Sequence, residues 1–479
     1  MPSRPSAFNR RQFLQALSTV ALGGTTLTDW GTSPVFANTG TDDYRALVCV
    51  FMFGGMDHND FVLPYDEIEY DQLRAVRSDI FDAYATQASG QSRDRTALLP
   101  LTPLDNLATE GRQYAVPQEM ADMRDLFDEE DLLFVGSVGP LIEPTNRLSY
   151  EAGSVALPPS LFSHNDQQNY WQGLAVEGAQ TGWGGRFVDA LRHQGQLGQE
   201  DLFASISTAG NSLFSSGEDT SIFQVASDSI SGPEIEERRH LLGYSDAMDT
   251  LRTRLAHYFR SQSFNHTHFM ASDAQALQSR ALTAIDRFGS EYNGLSPFTT
   301  SFPSGFYGIQ FQRVANAIRA SRALGARRQI FFIGAGGFDT HSDQASDLPW
   351  RQASLSTGLR AFSNALKEVG LWDNVTTFSG ADFGRTLVAN GSGTDHGWGA
   401  HHFVAGGSVR GRRLIGRMPQ YNPDGLEYTE SRGRLIPSVS IEQYSASLGT
   451  WLGVGDTTVN AVLPNLSNFV NRDLDLFQV

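Results

Sequence analysis

Arg45-Ala-Leu-Val-Cys-Val-Phe-Met-Phe53, running into Gly54-Gly55-Met56-Asp57, is the stretch from which the rest of the chain can be read. Its one charge stands at the start, and apolar and polar positions do not alternate. A strand covered on both faces has this pattern, as in a parallel sheet. The glycine pair ends the strand and hands the chain to an acidic residue. The pattern recurs further on. Asp131-Leu-Leu-Phe-Val-Gly-Ser-Val138 ends in Gly-Pro, and Gln329-Ile-Phe-Phe-Ile333 runs into Gly334-Ala-Gly-Gly-Phe338. Residues 375–379 and 403–405 read as shorter strands, and 202–207 as a weaker one. Between them, residues 120–130, 311–324 and 354–369 carry helical patterns, and residues 234–288 are rich in long helix-forming stretches. Helices alternating with short apolar strands predict an α/β chain with a parallel or mostly parallel sheet.

Upstream of that first strand, Asn9-Arg10-Arg11-Gln12-Phe13-Leu14 leads into a weakly apolar run over 16–27 and then Val35-Phe36-Ala37. Paired arginines, a short apolar core and a small-residue end predict a removable twin-arginine signal over residues 1–37, with a mature chain from about Asn38. The expected location is periplasmic or extracellular, reached in the folded state, with no membrane span in the mature chain. Residues 1–37 hold Arg4, Arg10 and Arg11 against Asp29, so their removal takes the formal charge from −17 to about −19. Such a surface repels nucleic acid and anionic lipid at long range, and an anionic substrate needs a local cation at its site. The single cysteine, Cys49, excludes an internal disulfide and reads as a buried thiol.

The loops after the strands carry the chemistry. In open α/β sheets the working groups gather at the carboxyl ends of the strands. Here those ends read Gly-Gly-Met-Asp57, Gly-Gly-Phe-Asp339-Thr-His341, Ser-Gly-Ala-Asp382, and a later segment ending in His401-His402. Six of the 11 histidines, His58, His164, His341, His396, His401 and His402, lie beside acids or glycines in such segments. Oxygen and imidazole donors from several strand ends suit Zn²⁺, Mn²⁺ or Mg²⁺. Singly, each segment reads equally as a turn or a helix cap; together they point to one shared metal or anion site. His266-Thr-His268 reads as a surface turn, and Tyr170 and Trp171 as core.

Five segments in order resemble the bacterial family called domain of unknown function 1501, which carries twin-arginine signals. They are Phe51-Met-Phe-Gly-Gly-Met-Asp57-His-Asn59, Leu161-Phe-Ser163-His164-Asn-Asp166-Gln-Gln-Asn-Tyr170-Trp171, Gly182-Trp-Gly-Gly-Arg186, Gly336-Gly-Phe-Asp339-Thr-His341, and Asp382-Phe-Gly-Arg385-Thr386 with Gly393-Thr-Asp395-His396-Gly-Trp-Gly-Ala-His401-His402. That family is grouped with the alkaline phosphatase and sulfatase superfamily. The resemblance implies a three-layer α/β/α sandwich over residues 38–479, with a helical insertion near 234–305. It implies Ser163 as nucleophile with His164 as its catalytic neighbour, although a serine entering a helix is also an N-cap and His164 is equally a ligand or an anchor of the turn. It implies Asp57, Asp339, His341, Asp382, Asp395, His396 and His401 as candidate ligands for one or two divalent ions (Zn, Mn, Mg or Ca), and Arg385 and Arg186 as clamps on substrate oxygens. The sequence departs from the superfamily where Asp382 is followed by Phe383 instead of histidine, and relatives carry Glu at the Asp382 position. The expected function is an exported metal-dependent hydrolase of phosphate or sulfate esters, small or polymeric. The alternative is a degenerate member that binds a protein partner and catalyses nothing.

Overall fold

The structure, a computed structural model, describes residues 43–87, 91–105, 109–175, 178–225, 269–429 and 432–478. The expected signal over 1–37, His266, His268 and the insertion up to residue 268 lie outside them. The opening apolar run is β1 (Arg45–Met52), buried at every position after Arg45. Its side chains alternate between two cores. Ala46, Val48, Val50 and Met52 enter one, and Leu47, Cys49 and Phe51 the other. Burial on both faces explains why the strand shows no polar alternation.

The other strands of the same sheet are β2 (Leu132–Gly139), β3 (Ser205–Ser207), β4 (Phe223–Gln224), β5 (Arg328–Ala335), β6 (Val375–Ala381), β7 (Ala400–Ala405), β8 (Leu414–Gly416) and β9 (Val439–Ser440). Among the described residues they make a nine-stranded sheet in the order β8-β2-β7-β6-β1-β5-β3-β4, with β9 also on β2. β1 lies parallel between β5 and β6, Val50 facing Ile333 and Ser379. Only β7 runs antiparallel to both of its neighbours. The sheet is therefore mixed and mostly parallel.

The helices used below are α1 (Glu67–Val76), α2 (Ser78–Thr86), α3 (Ala121–Asp128), α4 (His164–Gly173), α5 (Trp183–His193), α6 (Phe269–Asn293), α7 (Phe306–Ala323), α8 (Gln344–Glu368) and α9 (Ile441–Leu452). Leu126 of α3, Phe311 of α7 and Leu359 of α8 fill the first core. Trp171 of α4, Phe187 of α5 and Tyr444 of α9 fill the second. Helices on both faces of one sheet give the three-layer α/β/α sandwich. Among the described residues no helix is long and apolar enough to cross a membrane.

One helix differs from the sequence reading. α8 begins ten residues before the expected 354 because it carries Pro349 inside its second turn, a residue that normally marks a boundary. α6 is the described part of the expected insertion. It packs at the far end of the order, where the Phe288 ring lies 4.7 Å from Phe203 beside β3 and 4.8 Å from Phe223 of β4.

One buried acid in α9 makes stability depend on pH. Burial pushes the Glu442 carboxyl up to about 7, with a smaller opposing effect from the Asn465 amide. The Asn465 Nδ2 donates to Oε1 at 2.8 Å, while Oε2 has no partner. The folded-state value lies above the ordinary one of 4.5, so this group's contribution is full below about pH 4.5 and is lost as pH rises through 7. Glu442→Gln is therefore expected to stabilise the protein by up to about 3 kcal/mol at pH 8 and by little at pH 4.5. Chemical denaturation at the two pH values reads the difference.

Candidate metal centre

Loops from β1, β5 and β6 leave the sheet at one edge. β7 runs the opposite way, so the segment before it arrives at that same edge. This segment is the second strand of a hairpin, Arg385–Ala389 paired with Thr394–His396. The loops after β1 and β5 touch because Gly54, at φ +111°, has no side chain: a Cβ there would stand 2.3 Å from the Asp339 amide nitrogen. α4 brings His164 to the edge as its first residue.

Three imidazoles meet at Asp339. The Nε2 of His164 is 3.5 Å from one Asp339 oxygen. The other oxygen is 3.1 Å from the Nε2 of His341 and 3.6 Å from that of His396. His164, Asp339 and His396 offer donor atoms that all lie within 4.8 Å of one another. The Nε2 atoms of His341 and His396 are 2.9 Å apart.

Each ring is held from behind. The His164 Nδ1 is 2.7 Å from Asp382, the His341 Nδ1 is 3.3 Å from Asp395, and the His396 Nδ1 is 2.8 Å from the carbonyl of Phe162. A carbonyl and a carboxylate oxygen accept, so a proton on each Nδ1 leaves the Nε2 lone pair of that ring turned inward. Two such lone pairs at 2.9 Å repel unless a proton or a cation lies between them. The His164 Nε2 is buried and makes no hydrogen bond. Outward acceptors behind the rings are how metal-binding histidines are oriented, and imidazole and carboxylate are donor types that zinc takes.

The electrostatics act on the rings in opposite directions. The hydrogen bond to Asp382 raises the His164 pKa, against the effect of burial. Burial lowers that of His396, although the Phe162 carbonyl opposes it. Burial acts to raise Asp339, but Arg385 outweighs it and holds the carboxyl below its ordinary range. Asp339 is thus ionised and ready to ligate.

The strand-end segments divide into those that meet at the cluster and those that do not. Asp339, His341 and His396 belong to it, and His164, expected as a catalytic neighbour of Ser163, meets them at Asp339. Asp382 and Asp395, expected as ligands, stand behind the rings of His164 and His341, and the Asp382 Oδ1 is buried without a hydrogen-bond partner. The Asp382 Oδ2 takes His164, the Gln168 amide at 2.8 Å and the Gly54 backbone N–H at 3.1 Å. Asp395 accepts from His341 and from Asn390, and pairs with Arg432.

Asp57 and His401 are corrected more sharply. Arg77 grips both Asp57 oxygens, at 2.7 and 2.9 Å, and Gln344 adds a third donor at 2.6 Å. His401 is fully buried, accepts from the Ser137 amide at 3.1 Å and packs on His58 with ring centres 4.9 Å apart. Neither touches the cluster.

Both expected clamps are also committed elsewhere. The Arg385 guanidinium is buried against Asp339 at 2.8 Å, the Gly54 carbonyl at 3.1 Å and Thr394. Arg186 ties the carbonyls of Thr181 and Gly173 across the α4–α5 junction. Ser163 occupies the N-cap of α4 but makes no capping side-chain bond. The loop before it is strained, with Ser160 at φ +49° and Phe162 at φ +72°. Such non-glycine residues cost on the order of 1–2 kcal/mol each, and here they deliver the Phe162 carbonyl to His396.

Sequence reasoning missed Gln168 and Phe162. Gln168 was legible: at four residues from His164 on one helix, it reaches the same partner. The Phe162 contribution is a backbone carbonyl, which no side-chain pattern marks.

No curated protein matches the chain. Among solved structures, one described as Ps i-CgsB in complex with k-i-k-neocarrahexaose is 9% identical, with 90% of this chain and 77% of that chain covered and a TM-score of 0.34. The PsFucS1 sulfatase from Pseudoalteromonas sp. is 10% identical, with 92% and 75% covered and a TM-score of 0.33. Sequence is more decisive: the match to one family, described as a protein of unknown function (DUF1501), spans residues 44–436, from β1 through the whole donor set, and the chain belongs to that family.

Proposed function

We propose that this chain is a metal-dependent hydrolase of phosphate or sulfate esters that works with one divalent cation, held by Nε2 of His164, His341 and His396 and by Asp339. The supporting observation is that three imidazoles turn Nε2 toward one ionised carboxylate, each with its Nδ1 fixed by an acceptor. A cation there supplies Lewis-acid polarisation of a phosphoryl or sulfuryl oxygen. One ion is the proposal because Arg77 and Gln344 hold Asp57, and His401 packs on His58 away from the cluster. With Arg385 and Arg186 also spent, the cation is what draws an anionic ester to a chain of formal charge −17. Ser163, next to His164 and free of a capping bond, is the proposed nucleophile. The substrate is a small or polymeric anionic ester, not a nucleic acid. Export of the folded chain is part of the reading, and an amino terminus near Asn38 on protein from the periplasm or medium tests it.

Elemental analysis of the purified protein tests the metal. Near one equivalent of zinc, manganese, magnesium or calcium is expected, falling to background in an Asp339→Ala, His341→Ala variant. Equal content in both, or none in either when metals are supplied during expression, sinks the reading. A binding protein without catalysis gains support from the hydrogen bonds that commit both expected clamps elsewhere. Ester turnover that disappears in Ser163→Ala while metal stays bound decides for the enzyme.

A further inference from the structure

Beside the donor cluster is a second, differently built feature. A cavity of about 130 Å³ is lined by Phe306, Tyr307, Gly336, Phe338, Trp350 and Arg351. Phe338 immediately precedes Asp339, and Trp350 and Arg351 lie two turns along α8 from Gln344, which donates to Asp57. The cavity thus opens off the same β5–α8 connection that supplies two of the four donors.

Three observations mark it as a place for a ligand. Trp350 and Phe306 leave 51% and 43% of their surfaces in water, so two large rings border one opening with apolar surface uncovered. The Tyr307 hydroxyl is buried, on a residue 2% exposed, and has no partner. The Arg351 Nε is likewise buried and unpartnered, while its guanidinium lies on Trp350 at 4.1 Å from the ring centre. Among the described residues its one carboxylate contact, Asp347, is at 3.8 Å. Buried donors left unpaired cost free energy that a bound partner returns. Gly337, at φ +91°, leaves that guanidinium its room, since a Cβ there would lie 2.5 Å from it.

We propose that this cavity is a subsite for one pyranose ring of the substrate, so that the ester is carried by a carbohydrate. This rests on the hydrolase reading of the adjoining cluster and names its substrate class. Aromatic faces take the apolar C–H face of a sugar ring, and the Tyr307 hydroxyl and Arg351 meet its hydroxyl groups. A purely apolar ring satisfies neither polar atom. The volume is on the scale of a single sugar ring.

The test uses the metal-loaded mature chain and calorimetric titration with non-hydrolysable probes. These are the 6-phosphonates of glucose and galactose, phenylphosphonate, and methylphosphonate, which is the same anion without a ring. At least one hexose phosphonate is expected to bind about tenfold more tightly than methylphosphonate, a difference of about 1.4 kcal/mol. Trp350→Ala and Tyr307→Phe should shrink that gap, with metal content and methylphosphonate affinity unchanged. No gap in the parent, a gap that survives both variants, or phenylphosphonate binding tenfold better than either hexose overturns the inference while leaving the hydrolase reading intact. Failure of methylphosphonate to bind, with no metal found, counts against the hydrolase reading instead. The methyl glycosides of the two sugars then decide the subsite alone, through the ¹⁵N indole resonance of Trp350. A shift of that resonance, identified by its loss in Trp350→Ala, supports the subsite, and no shift overturns it.

Discussion

His164→Ala is expected to lose both the bound metal and all ester turnover, whereas Asp382→Asn is expected to keep the fold and weaken metal affinity by about 10- to 100-fold. The first effect follows from the Nε2 of His164, which is buried, has no hydrogen bond and faces Asp339. The ring is the first residue of α4 and its side chain is 28% exposed, so truncation opens the site to water without emptying a core. The second effect follows from the 2.7 Å contact between Asp382 and the Nδ1 of His164. An asparagine there can still accept through its carbonyl, but it no longer holds a negative charge behind the ring, and the imidazole becomes a poorer donor. Elemental analysis and turnover of an aryl phosphate and an aryl sulfate, on protein shown folded by circular dichroism, separate this from a role as general base. A general base leaves the metal in place when it is removed. Metal retained at the parental level in His164→Ala would overturn the assignment.

The fold was largely legible because the strands of this sheet are covered on both faces. β1, β2 and β5 appear as unbroken apolar runs, and glycine-rich breaks mark where they end. β7 was read too short because His401 and His402 interrupt its apolar run, although both are buried. The candidate site was legible only in part. Residue type and position at strand ends picked out Asp339, His341 and His396, which meet. The same signal picked out Asp57, Asp382, Asp395 and His401, which the structure uses in other ways. A strand end says that a carboxylate is near the working edge, but not which way it points or which cation faces it. The partner of Asp57 is Arg77, at the junction of α1 and α2 and twenty residues away, in a stretch with no motif of its own. Arg385 and Arg186 misled for the same reason: an arginine in a glycine-rich segment gives no sign of whether water or a backbone carbonyl waits for it.

Arg77→Met is expected to destabilise the folded chain by about 3–5 kcal/mol, the largest loss of any single substitution considered. The Arg77 side chain is 1% exposed and that of Asp57 is fully buried. Besides gripping Asp57, the guanidinium donates to the carbonyls of Leu387 at 2.8 Å and Thr386 at 2.7 Å. It therefore binds the loop after β1 to the α1–α2 junction and to the first strand of the hairpin that ends in His396. Its removal leaves a carboxylate in the interior with only the Gln344 amide and two carbonyls without donors. Asp57→Asn leaves the converse, an uncompensated guanidinium, and is expected to cost a similar amount. The double variant, Asp57→Asn with Arg77→Met, should recover much of the loss, because neither charge is then stranded. Denaturant titrations of the parent and the three variants measure this coupling. Metal content measured on the same samples then separates a structural carboxylate from a ligand. If Asp57 serves only as the counter-ion of Arg77, folded Asp57→Asn holds as much metal as the parent. A folded Asp57→Asn without metal would return Asp57 to the donor set and reopen the case for a second ion.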